Sequence, residues 1–205
     1  MENNINIKDE YRLRTLIYKK GYIGIGNFKS KVNNKNTKSY SCWYNMLTRC
    51  YSEKLRHKFP TYINCIVCEE WLNYQNFAKW FENNYIEGFD LDKDILSTST
   101  KIYSPQTCCF IPQSLNKLLT KCNKLKGLYP IGVTFHKQRR VYIAQVIIEN
   151  KNKHLGCFNS ILEASIAYKE AKEKEIKRQA FRYKNKITID CYNKLISYKI
   201  PIYDN

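Results

Sequence analysis

The chain has 205 residues, with 35 Lys and Arg against 18 Asp and Glu, for a formal net charge of +17. That length holds one large domain or two small ones, and 43% hydrophobic content supports a folded core. No run reaches the ~18 consecutive apolar residues of a membrane span, so the charge points to a polyanion rather than to a bilayer interior.

Residues 1–39 read as a basic arm that either tracks phosphates or is a solvated lead-in. Within it, Tyr22 to Gly26 suggests a short strand or turn, and Asn33 to Thr37 a loop. Gly24 and Gly26 make no phosphate loop, because no Gly-Lys-Ser/Thr follows them. Tyr40 to Tyr51 reads as a helix, with Trp43, Met46, Leu47 and Cys50 in one apolar stripe. His57 and Pro60 fall in a loop, and Tyr62 to Val67 reads as a strand. Trp71, Phe77, Trp80 and Phe81 mark a second helix, and these aromatics give the first domain its core. Phe89 to Leu96 and Lys101 to Pro112 read as strands around a polar loop. A helix should start near Gln113, where Pro112 and Ser114 suit a helix entrance. Lys121 to Gly127 reads as a basic linker.

The nine cysteines stand at 42, 50, 65, 68, 108, 109, 122, 157 and 191. Cys65 and Cys68 have a metal-ligand spacing, but neither a second Cys-x-x-Cys nor paired histidines complete a zinc set. Adjacent Cys108 and Cys109 would point apart on a strand. Reduced, buried thiols and no zinc are the expectation.

Residues 129–171 follow a different pattern. Val133 and Phe135 alternate with Thr134 and His136; Tyr142, Ala144, Val146 and Ile148 alternate with Ile143, Gln145 and Ile147. On a third strand Leu155 is inward while Asn152 and His154 are outward. Ser160 to Glu163 is a capping box, and Ala164, Ala167 and Ala171 let the following helix lie close on the sheet. The outward set is Thr134, His136, Gln145, Ile147, Asn152 and His154, with Arg139 and Arg140 in the first turn. Hydrogen-bonding, cationic and methyl-contacting groups of this kind suit base edges and phosphates. The plainer reading is a small α+β module whose polar face is merely solvated. Residues 183–205 should add a short helix, with Tyr192, Leu195 and Ile196, and a tail.

This stretch resembles the Apetala-type (ethylene-response-factor) DNA-binding domain, through Gly132-Val133, Ala144-Gln145-Val146, Leu155-Gly156-Cys157-Phe158, Glu163-Ala164 and Ala167-Tyr168. The family places Arg and Trp at several contact positions where this chain does not. The resemblance therefore implies the mode of binding rather than a sequence preference.

Upstream, two carboxylates two residues apart on a strand, and a helix carrying Asn, make a candidate metal site. Mg²⁺ takes oxygen ligands and keeps several waters, so one Asp and one Asn oxygen suffice once phosphate joins. The arrangement resembles the ββα-metal HNH endonuclease motif of phage-borne proteins that pair it with an Apetala-type domain. The resemblance runs from Trp43 to Asn116 and includes Arg49-Cys50-Tyr51, Val67 to Trp71, Leu91 to Leu96 and Tyr103 to Cys108. It implies Asp92 and Asn116 as metal ligands for Mg²⁺ or Mn²⁺, and puts Lys93 where the family keeps its general-base His. An ordinary lysine is protonated at pH 7. Three readings follow: Lys93 has a lowered pKa, Asp94 or His57 serves as base, or DNA binding is kept and cleavage lost.

The expected fold is α+β. An HNH-like ββα-metal core occupies 40–120, a three-stranded antiparallel sheet packed on one helix occupies 128–182, and a C-terminal helix and tail occupy 183–205. The expected function is that of an HNH homing endonuclease cutting or nicking double-stranded DNA. The rivals are a catalytically silent DNA binder, acting as regulator or anti-defence factor, and a protein-binding inhibitor. With no signal-peptide pattern at Met1 to Asn4, the expected location is the cytoplasm, of a host if phage-encoded.

Overall fold

The computed structural model describes residues 15–97, 100–119, 128–149 and 151–200. The start of the basic arm, the Lys121–Gly127 linker with Cys122, and the end of the tail lie outside the described residues. The fold is mixed α+β, and two compact units divide between Phe110 and Ile111.

The first unit is built around helix α1 (Lys38–Tyr51), capped by the Thr37 side chain on Tyr40 N–H. Its expected stripe is the core: Trp43, Met46, Leu47 and Cys50 are all buried. A short α2 (Glu53–Lys58) follows, so His57 stands on a helical turn rather than in a loop. The expected strand from Tyr62 is a 3-10 turn, Pro60–Tyr62, and only β3 (Ile66–Val67) is extended. The second helix is two. α3 (Glu69–Leu72) ends at Asn73, whose side chain accepts from Gln75 N–H and starts α4 (Tyr74–Asn84). Trp71, Tyr74, Phe77 and Phe81 pack against α1, and Trp80 stacks on Phe110 at 5.3 Å. Each fully buried large apolar side chain contributes about 1.5–3 kcal/mol.

Part of the described basic arm packs on this core, while its Lys31–Asn36 hairpin is exposed. Ile17, Tyr18, Ile23 and Phe28 lie on this core. Gln75 holds the segment by donating to the carbonyls of Ile23 and Phe28 and accepting from Phe28 N–H. The expected loop at Asn33 is a hairpin: β1 (Lys31–Val32) pairs with β2 (Lys35–Asn36). Asn33 and Asn34 both take left-handed φ, as a two-residue hairpin turn demands. Further on, β3 pairs in parallel with β5 (Ile102–Tyr103), and β4 (Phe89–Asp92) pairs with β6 (Cys109–Pro112). The expected long strand from Lys101 is therefore two short ones around the turn at Ser104 to Thr107.

The second unit begins with α5 (Gln113–Leu119), which starts where Pro112 suggested. Strands β7 (Val133–His136), β8 (Val141–Ile148) and β9 (Lys151–Phe158) form one antiparallel sheet in that order. The sheet packs on α6 (Ile161–Arg182), with Val133, Ala144 and Ala164 at the centre and Leu155, Phe158 and Ala167 around them. The Ser160–Glu163 capping box is complete in both directions. Gly132 has φ +81°, and a Cβ there would meet the Tyr168 ring at 2.1 Å, so sheet and helix approach closely only because the position is glycine. α7 (Ile189–Ile196) buries Cys191 and Leu195. Glu173 of α6 accepts from Ile200 N–H at 2.9 Å and pairs with Lys199, fixing the chain after α7.

Candidate nucleic-acid interface and candidate metal centre

The register of the three strands sorts the sheet into two faces. Val133 pairs with Ala144 and Phe135 with Tyr142; all four belong to the helix side. The opposite face receives Thr134 against Ile143, Gln145 against His154, Ile147 against Asn152, and Ile143 against Cys157. The ladder shifts between Ala144 and Gln145, where Leu155 is the extra residue on β9. That bulge matters. Strict alternation back from Phe158 would turn His154 and Asn152 toward the helix. The extra residue resets the phase, so that Leu155 joins the core while His154 and Asn152 stay outward.

Thr134, Asn152 and His154 are exposed, and Ile147 has 67% of its surface accessible. Gln145 and His136 are half-buried. The Asn152 side-chain amide donates to Gln145 Oε1 at 2.7 Å. His136 Nδ1 accepts from Arg139 N–H at 3.3 Å, which ties the β7–β8 turn to the face. Arg139 and Arg140 are exposed in that turn, Arg140 with φ +55°. Cys157 lies on the same face, its Sγ 4.0 Å from His154 Nε2. Its place follows from the pairing with Ile143. A cavity of about 790 Å³ in this unit borders the face at Thr134, Gln145 and Ile147, with Ser114 and Lys117 of α5 and Tyr168 of α6 on its walls.

Asp92, Lys93 and Asp94 stand together at the end of β4 in the first unit. Asp92 Oδ1 accepts from Asp94 N–H at 2.8 Å and Ile95 N–H at 2.9 Å. Burial pushes the Asp92 carboxyl above its ordinary value, against the pull of those two amides. Lys93 is buried, pairs with the exposed Asp94, and lies over the Tyr103 ring at 5.7 Å. Burial alone would lower its pKa, but the Asp94 hydrogen bond and charge outweigh it and hold the ammonium above the ordinary lysine value. A lowered pKa for Lys93 is thus corrected: the side chain is a held cation. His57 is exposed on α2. Asn116 is on α5 in the second unit, half-buried.

Among the described residues no group of three or more His, Cys, Asp or Glu is placed to hold a metal ion. Cys65 and Cys108 are buried in the first core and Cys68 packs against it. Burial pushes the Cys108 thiol up to about 12. No described helix is long and apolar enough to cross a membrane. No protein-family model, curated protein or solved structure matches this chain.

Proposed function

We propose that the protein binds double-stranded DNA by laying the open face of β7–β9 in the major groove. The observation that carries this reading is the shared face of Thr134, His136, Gln145, Ile147, Asn152 and His154, of which Thr134, Ile147, Asn152 and His154 are exposed, in a chain of net charge +17. Three strands at ~4.8 Å spacing span about 10 Å, which fits a groove about 12 Å wide. Arg139 and Arg140 at the turn suit phosphate contacts, which position the face without reading sequence. Fluorescence anisotropy on a mixed-sequence duplex tests it. Affinity should fall steeply with salt, and Arg140→Ala should lower the salt slope by about one. Absence of duplex binding by wild type at low salt rules the reading out.

The HNH-type activity is the finer part of the proposal: cutting or nicking that depends on Asp92 of the first unit. Asp92 would be an oxygen donor to Mg²⁺ or Mn²⁺, which would offset charge on the phosphate and the leaving oxygen. The chain order of paired β4 and β6 followed at once by α5 supports a ββα arrangement. Lys93, buried and ion-paired with Asp94, does not suit a general base. That observation favours a second reading, a silent HNH-like binder. A plasmid nicking assay with Mg²⁺ or Mn²⁺ separates the two. Nicking lost in Asp92→Ala supports the nuclease. If wild type and Lys93→His both leave bound plasmid intact, the silent binder stands.

A further inference from the structure

The amide pair at the centre of the open face carries more than general polarity. Gln145 and Asn152 come from neighbouring strands and are joined by the 2.7 Å hydrogen bond. Each amide owns one carbonyl oxygen and one NH₂ group. Their mutual bond uses one carbonyl and one NH₂, leaving one donor group on one residue and one acceptor on the other. Exchanging the oxygen and nitrogen of both amides swaps which residue offers the donor and which the acceptor, and one of each still remains outward. Asn152 is also the register partner of Ile147, whose side chain is the most exposed apolar group on the sheet. A donor, an acceptor and an exposed branched alkyl group therefore stand side by side.

The major-groove edges of the four bases distinguish among themselves by this chemistry. Adenine shows an acceptor, N7, beside a donor, the N6 amino group. Guanine shows two acceptors, N7 and O6, and would oppose the outward carbonyl with a like group. Thymine adds a methyl group that an aliphatic side chain can touch, and cytosine has none. We propose that Gln145 and Asn152 act as one unit that reads adenine, and that Ile147 reads an adjacent thymine methyl, so the face prefers A·T pairs at its centre. This rests on the DNA-binding reading above and adds the identity of the bases.

The test uses the full chain. Wild type first selects from a pool of randomised duplexes, and a preferred duplex is then rebuilt with single-atom changes. Replacing the central adenine by 7-deazaadenine removes N7 but keeps base pairing. It should weaken wild type about tenfold, as expected for loss of a bidentate contact. The Gln145→Ala Asn152→Ala variant should be insensitive to that change. Uracil in place of the neighbouring thymine should weaken wild type and leave Ile147→Ser unaffected. All three positions are on the surface face, and circular dichroism checks that the variants keep the fold. A selected site centred on G·C, tolerance of 7-deazaadenine by wild type, or an unchanged preference in the double variant overturns the inference while leaving DNA binding intact. Failure of wild type to bind any duplex in the pool overturns both.

Discussion

At Asp92 two effects oppose each other. The backbone amides of Asp94 and Ile95 favour the ionised carboxylate, while burial disfavours it, and burial wins. A carboxyl whose folded pKa is raised holds its proton more tightly in the folded than in the unfolded chain. Its contribution to stability is complete below the unfolded value of about 3.9 and is lost as pH rises through the raised folded value. At neutral pH the charged Asp92 is therefore a net cost. Asn at this position keeps an Oδ1 acceptor for both amides and carries no charge. Asp92→Asn should match wild type in thermal unfolding near pH 3 and melt higher at pH 7. An equal or lower melting point at pH 7 would show that the carboxylate is not strained by its surroundings.

Among the elements, α6 shows how much one cap contributes. Ser160 Oγ accepts from Glu163 N–H at 3.1 Å, and the Glu163 carboxylate accepts from Ser160 N–H at 3.3 Å. Ser160→Ala removes one of these and should cost about 1 kcal/mol in urea unfolding of the second unit. No change would mean that α6 is held by packing alone. This cap was legible in the sequence, as were α1 and the two faces of β7 and β8, because their periods of 3.6 and 2 run long enough to dominate. The break at Asn73 was not, since residues 69–84 carry apolar positions on both sides and no Gly or Pro. β3 and β5 have two residues each and exist only because they meet each other, so no local pattern announces them. In the candidate site, the pairing of Lys93 with Asp94 could be suspected from adjacency. Its burial over Tyr103 could not, because no periodic pattern spans the turn between β4 and β5. The phase of β9 puts Asn152 and His154 outward. Its cause, the bulge at Leu155, is a two-against-one pairing that no single strand reveals.

For the molecule as a whole, the basic stretch Lys121 to Gly127 suggested a boundary, yet the two compact units divide inside β6, between Phe110 and Ile111. Composition marks where a chain is polar, whereas unit boundaries follow where contacts thin out, and α5 makes its contacts with α6. The aromatic core of the first unit has an optical consequence. The chain has three tryptophans, and Trp43, Trp71 and Trp80 all belong to that core, with Trp43 and Trp71 fully buried. The second unit contains tyrosine but no tryptophan. Emission excited at about 295 nm, where indole absorbs almost alone, therefore reports on the first unit only, while far-ultraviolet circular dichroism reports on both. Overlaying the two denaturation curves measures whether the halves unfold as one cooperative block. Coincident midpoints would mean that they do. An emission transition displaced from the dichroism transition would show the β7–β9 sheet unfolding independently of the half that carries Asp92.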